Sequence, residues 1–165
     1  MSIDTLEDLY LEQLKDIYSA NKQALDVTQE MAEAATDKGL SEALKAGTAG
    51  ILDGIEALEK IAGRHDESAT GEHCKGMEGL VKEARAHALN ESFGDEATKD
   101  AMIITQYQRL VHYAIAGYGC LAAFAGRLDL REDVTALKSC LDASYDGDRT
   151  MTELATGGIN KDAMA

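Results

Sequence analysis

The stretch that decides the fold is TLEDLYLEQLKDIYSANKQALDVTQEMAEAA, residues 5–35. Apolar or small residues recur along it at steps of three and four for about eight turns, which predicts one long amphipathic helix. The positions of this inward stripe are Leu6, Tyr10, Leu14, Ile17, Asn21, Leu25, Thr28, Met31 and Ala35. Thr5 and Asp8 have the spacing of a capping box, which places the helix start near Thr5. Asp37-Lys38-Gly39 is the predicted stop.

The same periodicity predicts further helices along the rest of the chain. They are expected from after Ser41 to about Gly63, over Cys74–Ala88 as a short helix, over Ala97–Ala125 and over Arg131–Ala155. Gly126 and Gly157-Gly158 are the predicted ends of the last two. Proline interrupts helices, and the chain contains none, so long uninterrupted helices are favoured.

The loop lengths predict how these helices pack. Short loops near Lys38 and Leu128 make the first two helices one antiparallel hairpin and the last two another. The connection between the hairpins is long and contains the short helix. This connectivity is typical of an all-α, ferritin-like four-helix bundle with one short extra helix. A chain of 165 residues without an evident linker is expected to form one domain, residues 1–165.

Three glycines of the second predicted helix fall near one line: Gly47, Gly50 and Gly54. Each costs about 1 kcal/mol relative to alanine inside a helix, so each needs a reason. Two interpretations stay open. Either another backbone approaches closely there, or a larger side chain once occupied the position.

Charge and cysteine content exclude several classes of function. The chain carries 16 Lys+Arg against 30 Asp+Glu, a formal net charge of -14. Such a surface repels phosphates and anionic lipid headgroups, so neither nucleic acid nor a membrane is an expected partner. Cys74, Cys120 and Cys140 are too few and too widely spaced for a disulfide framework. The N-terminus is acidic and lacks the pattern of a signal peptide, so a cytoplasmic location is expected.

Several longer stretches carry a family resemblance. They are TLEDLY and DIYSANKQAL in the first helix, CKGMEGLVKEA in the short helix, DAMIITQYQRLVHYAIAGYG in the fourth helix and LDASYDGDRTMTELA in the last. In these stretches the chain resembles the YciF-like branch of the ferritin-like superfamily. That resemblance implies a small stress-associated bacterial protein that associates with itself.

The resemblance also implies a di-metal site, and this chain departs from it. Ferritin-like sites use glutamates from all four helices, because two metal ions bring four positive charges into the bundle. Family strings of the form SAEKQ, EET, EHYE and EEE correspond here to SANKQ, AGI, VHYA and DAS. The positions that lack the expected glutamates are Asn21, Gly50, Val111, Ala114, Ala143 and Ser144.

Because these replacements are mostly small and apolar, we expect the former site to be filled in as dry core, with no metal and no cofactor. The periodicity independently places Asn21, Val111 and Ala114 on inward stripes. His112 and Asp148 are the weak vestigial metal candidates; a lone histidine and a hydrogen-bonded structural carboxylate are the favoured interpretations.

Other candidate groups have simpler explanations. Tyr107, Tyr113, Tyr118 and Tyr145 have the helical spacing of core or interface residues. Asp53 and Glu56 are expected to face solvent on the second helix, as are Asp142 and Asp146 of the last helix. Asp148 and Tyr145 lie on the inward stripe predicted for the last helix, with Leu137, Leu141 and Met151.

Two functional hypotheses remain open from the sequence. The favoured one is a non-catalytic protein without a di-metal centre that acts as a structural or interaction protein. It is expected to form a homodimer or larger homo-oligomer with an unknown protein partner, in a bacterial stress response as the resemblance implies. The alternative is a di-iron oxidoreductase or metal-binding protein with a rearranged site.

Overall fold

The computed structural model describes residues 3–164, so residues 1, 2 and 165 of the predicted domain lie outside the described part. Six α-helices follow one another, and none of the described residues forms a strand. The helices are α1 (Leu6–Ala34), α2 (Lys38–Arg64), α3 (Lys75–Ala84), α4 (Glu96–Arg127), α5 (Arg131–Leu154) and α6 (Asn160–Asp162). The all-α prediction is confirmed.

The start of α1 is the predicted capping box. The Asp8 backbone N–H donates to the Thr5 hydroxyl oxygen, and the Thr5 N–H donates to the Asp8 carboxylate. The predicted start of α2 was wrong. Asp37 does not end α1 but caps α2, where it accepts a hydrogen bond from the Leu40 N–H at 2.8 Å. Aspartate is common both after the end of one helix and at the N-cap of the next, and Asp37 is the N-cap of α2.

The helices assemble as two antiparallel hairpins, α1 with α2 and α4 with α5, and α3 lies in the connection between them. In cross-section α1 packs on α4 and α2 faces α5, which is the ferritin-like arrangement predicted from the loop lengths. The apolar core consists of two clusters. One surrounds Met31, Met77 and Met151, and the other surrounds Leu14 and Leu58.

The helix ends predicted at Gly157-Gly158 and at Gly126 were also wrong. After α3 the chain makes a π-helical turn, Arg85–Leu89, and a second π-helical turn, Ala155–Ile159, follows α5. The Gly157-Gly158 pair therefore lies inside a helical segment that leads into α6. Gly126 does not end α4 either, since the helix continues to Arg127.

Buried carboxylates fix the ends of the bundle. The Asp100 carboxylate, at the start of α4, accepts hydrogen bonds from the backbone N–H groups of Thr36 at 2.9 Å and Asp37 at 2.7 Å. It also accepts from the Thr36 hydroxyl at 2.6 Å. The carboxylate thereby binds the turn between α1 and α2 to α4, and it is satisfied although it is buried.

At the opposite end of the bundle, the Asp133 carboxylate of α5 contacts side chains from α1 and from the end of α2. Its carboxylate accepts hydrogen bonds from the Tyr10 hydroxyl at 2.9 Å and from Arg64 Nε at 2.8 Å, and His65 Nε2 lies 2.7 Å away. Burial opposes its charge, but hydrogen bonds from His65, Arg64 and Tyr10 outweigh that effect and lower the pKa of Asp133.

The glycines of α2 are explained by tyrosines rather than by an approaching backbone. A Cβ atom at Gly47 would lie 2.2 Å from the Tyr107 hydroxyl, and one at Gly54 would lie 2.4 Å from the Tyr118 hydroxyl. Both tyrosines reach across the bundle from α4. Gly50 differs, because a Cβ atom there would meet nothing within 4 Å. The interpretation of an approaching backbone is therefore wrong for Gly47 and Gly54, where tyrosine hydroxyls occupy the space.

Candidate functional site

A cavity of about 340 Å³ lies inside the bundle, between the two core clusters. Its inner wall comes from α1, α3 and α4, and it opens between α2 and α5. The mouth is bordered by exposed residues, among them Ala46 and Gly50 of α2 and Ala143 and Thr150 of α5. Small side chains on both helices keep this opening wide.

The cavity contains every position at which the family resemblance implies a missing metal-binding glutamate. These lining positions are Asn21, Gly50, Val111, Ala114, Ala143 and Ser144. The sequence grouped them only by resemblance and by partial periodicity. The fold brings four helices together so that all of them border one space.

The expectation that this space is filled as dry core was wrong. Glycine, alanine and serine have less volume than glutamate, and a space of about 340 Å³ remains between the helices. Tyr107 and Tyr118 span the bundle from α4 toward Gly47 and Gly54 of α2, which keeps α2 at a distance from α4. Truncated side chains between fixed helices leave a void, because packed elements relax only partly.

Most of the cavity wall is apolar. Ile51, Met77, Leu110, Val111 and Met151 contribute aliphatic or thioether surface. No described residue that lines the cavity is Lys, Arg or His, and Asp146 at the mouth is its one carboxylate. The Asp146 carboxylate pairs with the Arg149 guanidinium outside the cavity. An apolar wall with few polar groups is typical of a small-molecule pocket rather than of a di-metal site.

Tyr107 is the polar group that stands out in this wall. The residue as a whole is 3% exposed, and its hydroxyl forms no hydrogen bond with any residue between 3 and 164. No buried side-chain nitrogen or oxygen atom of the described residues lacks a partner, so the Tyr107 hydroxyl is reached by solvent through the cavity. The hydroxyl lies between Gly47 of α2 and Gly147 of α5, both of which line the cavity. Burial alone raises the pKa of Tyr107 to about 12. The group is therefore a neutral phenol with a free donor and acceptor.

The other deep polar groups already have partners. Asn21 Nδ2 donates to the Tyr118 hydroxyl oxygen at 2.6 Å, and both residues are buried. Cys140 lies near Tyr118, and burial raises the pKa of its thiol. The Ser144 hydroxyl donates to the Cys140 carbonyl oxygen at 2.9 Å. Asn21 is thus a hydrogen-bonded core residue in the structure, as a neutral amide permits.

His112 and Asp148 lie away from this cavity. The His112 side chain is 62% exposed, and its Nε2 atom lies 2.9 Å from Asp148 Oδ1. Asp148 also accepts a hydrogen bond from Gln108 Nε2 at 3.0 Å. Asp148 therefore joins α5 to the outer side of α4, instead of facing the bundle interior as its stripe predicted. Tyr145 of the same stripe is 43% exposed, so the register predicted for α5 was wrong there.

Metal-binding side chains do not converge elsewhere in the part of the chain that the structure describes. Between residues 3 and 164 no group of three or more His, Cys, Asp or Glu side chains is arranged to hold an ion. Cys74, Cys120 and Cys140 are free and separate. Asp53 and Glu56 face solvent, as predicted. Along residues 3–164, no helix combines the length and the apolar character needed to cross a bilayer.

The geometry can be compared with known proteins. Residues 5–164 match the profile of the family described as a domain of unknown function, DUF892. The chain belongs to this family. It is 32% identical over 164 residues to the protein YciF of Escherichia coli K12, covering 99% of this chain and 98% of that one.

Two solved structures of similar proteins have the same fold. The crystal structure of the E. coli stress protein YciF superposes with a TM-score of 0.89, at 32% identity, over 96% of this chain and 99% of that one. YcfI of Rhodopseudomonas palustris, described as a proposed structural protein, gives 0.86 at 32% identity, over 92% and 95%. The ferritin-like fold and the YciF-like resemblance are thereby confirmed.

Sequence reasoning missed three features of the molecule. It did not find the cavity, the unpaired Tyr107 hydroxyl, or the buried carboxylates Asp100 and Asp133. A signal existed for Tyr107, because Gly47 is a helix-interior glycine on the helix that faces it. No comparable signal marks Asp133, whose partners lie 68 or more residues away in the chain.

Proposed function

We propose that this DUF892 protein is a non-catalytic ferritin-like protein without a functional di-metal centre, acting through association with other proteins. The observation that carries the proposal is the chemistry of one cavity. All six positions of the implied metal site border it, and none supplies a carboxylate. A neutral amide, a hydroxyl, and glycine, alanine and valine side chains cannot balance the charge of two divalent ions.

The role of this protein is proposed to be structural, within a bacterial stress response. A relative named as a stress protein and another described as a proposed structural protein support this assignment. The acidic surface supports protein partners or self-association over nucleic acid or membrane partners. The location is proposed to be the cytoplasm.

The first experiment is a metal analysis of protein purified without an affinity tag. The protein is dialysed against Mn²⁺ or, without oxygen, against Fe²⁺, and is then passed through a desalting column. We expect far less than one ion per chain by elemental analysis. E. coli YciF, treated in parallel, serves as the comparison. Two ions per chain in this protein, together with anomalous scattering in the cavity, would instead establish the di-iron alternative.

The second experiment concerns assembly. We propose at least a homodimer, since α4 presents small residues, Ala116 and Gly119, at its outer surface. Gly117 does not contribute to such a face, because it accommodates Ile17 of α1 inside the bundle. Light scattering at micromolar concentration is expected to give at least twice the mass of one chain. A mass of one chain at 100 µM would refute self-association.

A further inference from the structure

The cavity has the size and lining of a binding site. Its volume of about 340 Å³ lies within the range of ligand pockets, roughly 300–1,000 Å³. An apolar cavity of about 150 Å³ is enough to hold benzene, so this one can hold a molecule roughly twice as large. The exposed lining residues of α2 and α5 place its opening between these two helices.

The Tyr107 hydroxyl gives this cavity a specific anchoring point. It has no hydrogen-bond partner among residues 3–164, it lies at the side where the cavity opens, and solvent reaches it there. A hydroxyl that faces a cavity without a protein partner pairs with water or with a bound molecule. The Tyr107 hydroxyl is therefore available to the polar group of a ligand in this cavity.

The charges around the cavity select what can bind. None of the residues 3–164 that line it is cationic, Asp146 borders its mouth, and the whole chain carries a formal charge of -14. An anion such as a carboxylate would lose its hydration without gaining a counter-charge. A neutral ligand avoids that loss and still gains from the apolar wall.

We propose that this cavity binds a neutral, largely apolar small molecule of about a dozen non-hydrogen atoms, whose single polar group hydrogen-bonds to the Tyr107 hydroxyl. The ligand lies in the space that the implied glutamates would otherwise occupy. The proposal rests on cavity geometry and goes beyond the structural role proposed above. Its test contains no metal, so the two proposals can fail separately.

The test compares three related probes: naphthalene, 2-naphthol and 2-naphthoate. They share one apolar ring system and differ in carrying no polar group, a neutral hydroxyl or an anionic carboxylate. Binding to the full-length protein at pH 7 is measured by isothermal titration calorimetry, and for 2-naphthol also by its fluorescence. We expect 2-naphthol to bind with a stoichiometry of one per chain. We expect 2-naphthoate to bind at least ten-fold more weakly.

Two filling variants test whether the probes occupy this cavity. Ala114→Leu places a larger side chain inside it, and Ala143→Leu narrows its mouth. The matched control is Ala49→Leu, an exposed position of α2 that does not line the cavity. We expect both filling variants to lower 2-naphthol affinity at least ten-fold, and the control to leave it unchanged. Equal affinity in all three proteins would overturn the proposal.

Tyr107→Phe tests the anchoring point. Removing one hydrogen bond is expected to weaken 2-naphthol binding about three- to ten-fold while leaving naphthalene binding unchanged. Tyr145→Phe, an exposed tyrosine on α5, is the control. An equal loss for both probes would show that the substitution merely reshapes the cavity and would overturn the role of Tyr107. Tight binding of 2-naphthoate would overturn the selection for neutral ligands.

Discussion

Substituting glutamate at one cavity position at a time should show that the positions differ in the free energy that a carboxyl group costs there. Val111 is 8% exposed and packs in the core, so Val111→Glu loses apolar burial and buries a carboxyl group; we expect a loss of about 2–4 kcal/mol. Ala114 is half-buried beside the cavity, into which a longer side chain can extend, so Ala114→Glu should cost about 1–2 kcal/mol. At the exposed Gly50, Gly50→Glu should stabilise by about 0.5 kcal/mol through helix propensity.

The assay is urea unfolding of each variant at pH 5 and pH 8. A glutamate buried at position 111 has a raised pKa in the folded state, so the unfolded state loses its proton first and stability falls as pH rises above about 4.3. Val111→Glu should therefore lose more at pH 8 than at pH 5, whereas Gly50→Glu should not. The exposed control Ala49→Glu should stay within about 0.5 kcal/mol of the parent. Equal losses at positions 50 and 111 would refute the cavity geometry.

Combining the changes tests whether these positions converge on one site. A variant with Asn21→Glu, Gly50→Glu, Ala114→Glu and Ser144→Glu brings four carboxylates around one cavity, and their repulsion should destabilise the metal-free protein. Mn²⁺ at a hundred times its Kd should then return about 2.7 kcal/mol by binding only the folded state. The parent should melt at the same temperature with and without Mn²⁺. If Mn²⁺ leaves the quadruple variant unchanged as well, the implied ligand positions do not form a metal site.

Other predictions concern groups that hold the bundle together. Asp133→Ala should destabilise by about 2–4 kcal/mol in urea unfolding, mainly because the Tyr10 hydroxyl is left buried and unpaired; prior Tyr10→Phe substitution should reduce that loss. The lowered pKa of Asp133 adds stability that is fully present above about pH 3.9 and is lost as pH falls through the folded-state pKa. The parent should therefore lose more stability than Asp133→Ala when the pH is lowered to about 2. Gly47→Ala should destabilise by about 1–2 kcal/mol through its clash with Tyr107, whereas Gly50→Ala should stabilise; thermal melts of Gly47→Ala with and without Tyr107→Phe decide whether the hydroxyl is the cause.

The sequence determined the helices well because their periodicity is a local property. The inward stripe of α1 places Tyr10, Leu14, Ile17 and Met31 in the core, and all four are buried in the structure. Errors fell at helix ends, where Asp37 serves as a cap and Gly157 lies inside a π-helical turn. Glycine and aspartate occur both at the ends of helices and within helical segments. The local sequence does not distinguish the two cases, because tertiary contacts decide between them.

The residues that line the candidate site were predictable from the sequence. Whether the space between them is filled or open was not. Resemblance and stripe position together selected residues that the fold does bring to one space. Whether that space closes depends on how far the helices relax after side chains shorten, which no local pattern encodes. Tyr107 and Tyr118 set that distance, and their hydroxyls fit only because Gly47 and Gly54 leave room.

The size of the cavity argues that it is occupied in solution. A closed, empty cavity costs about 24 cal/mol per Å³. This cavity opens to solvent between α2 and α5, so water can enter it in place of empty space. Water in a cavity needs two to four polar partners, and the deep polar groups Asn21 and Tyr118 already use each other. Water can satisfy the Tyr107 hydroxyl but gains little from the apolar wall around Leu110 and Met77. An apolar ligand covers that wall and satisfies Tyr107 at the same time, so its binding removes the free-energy penalty that the missing side chains left behind.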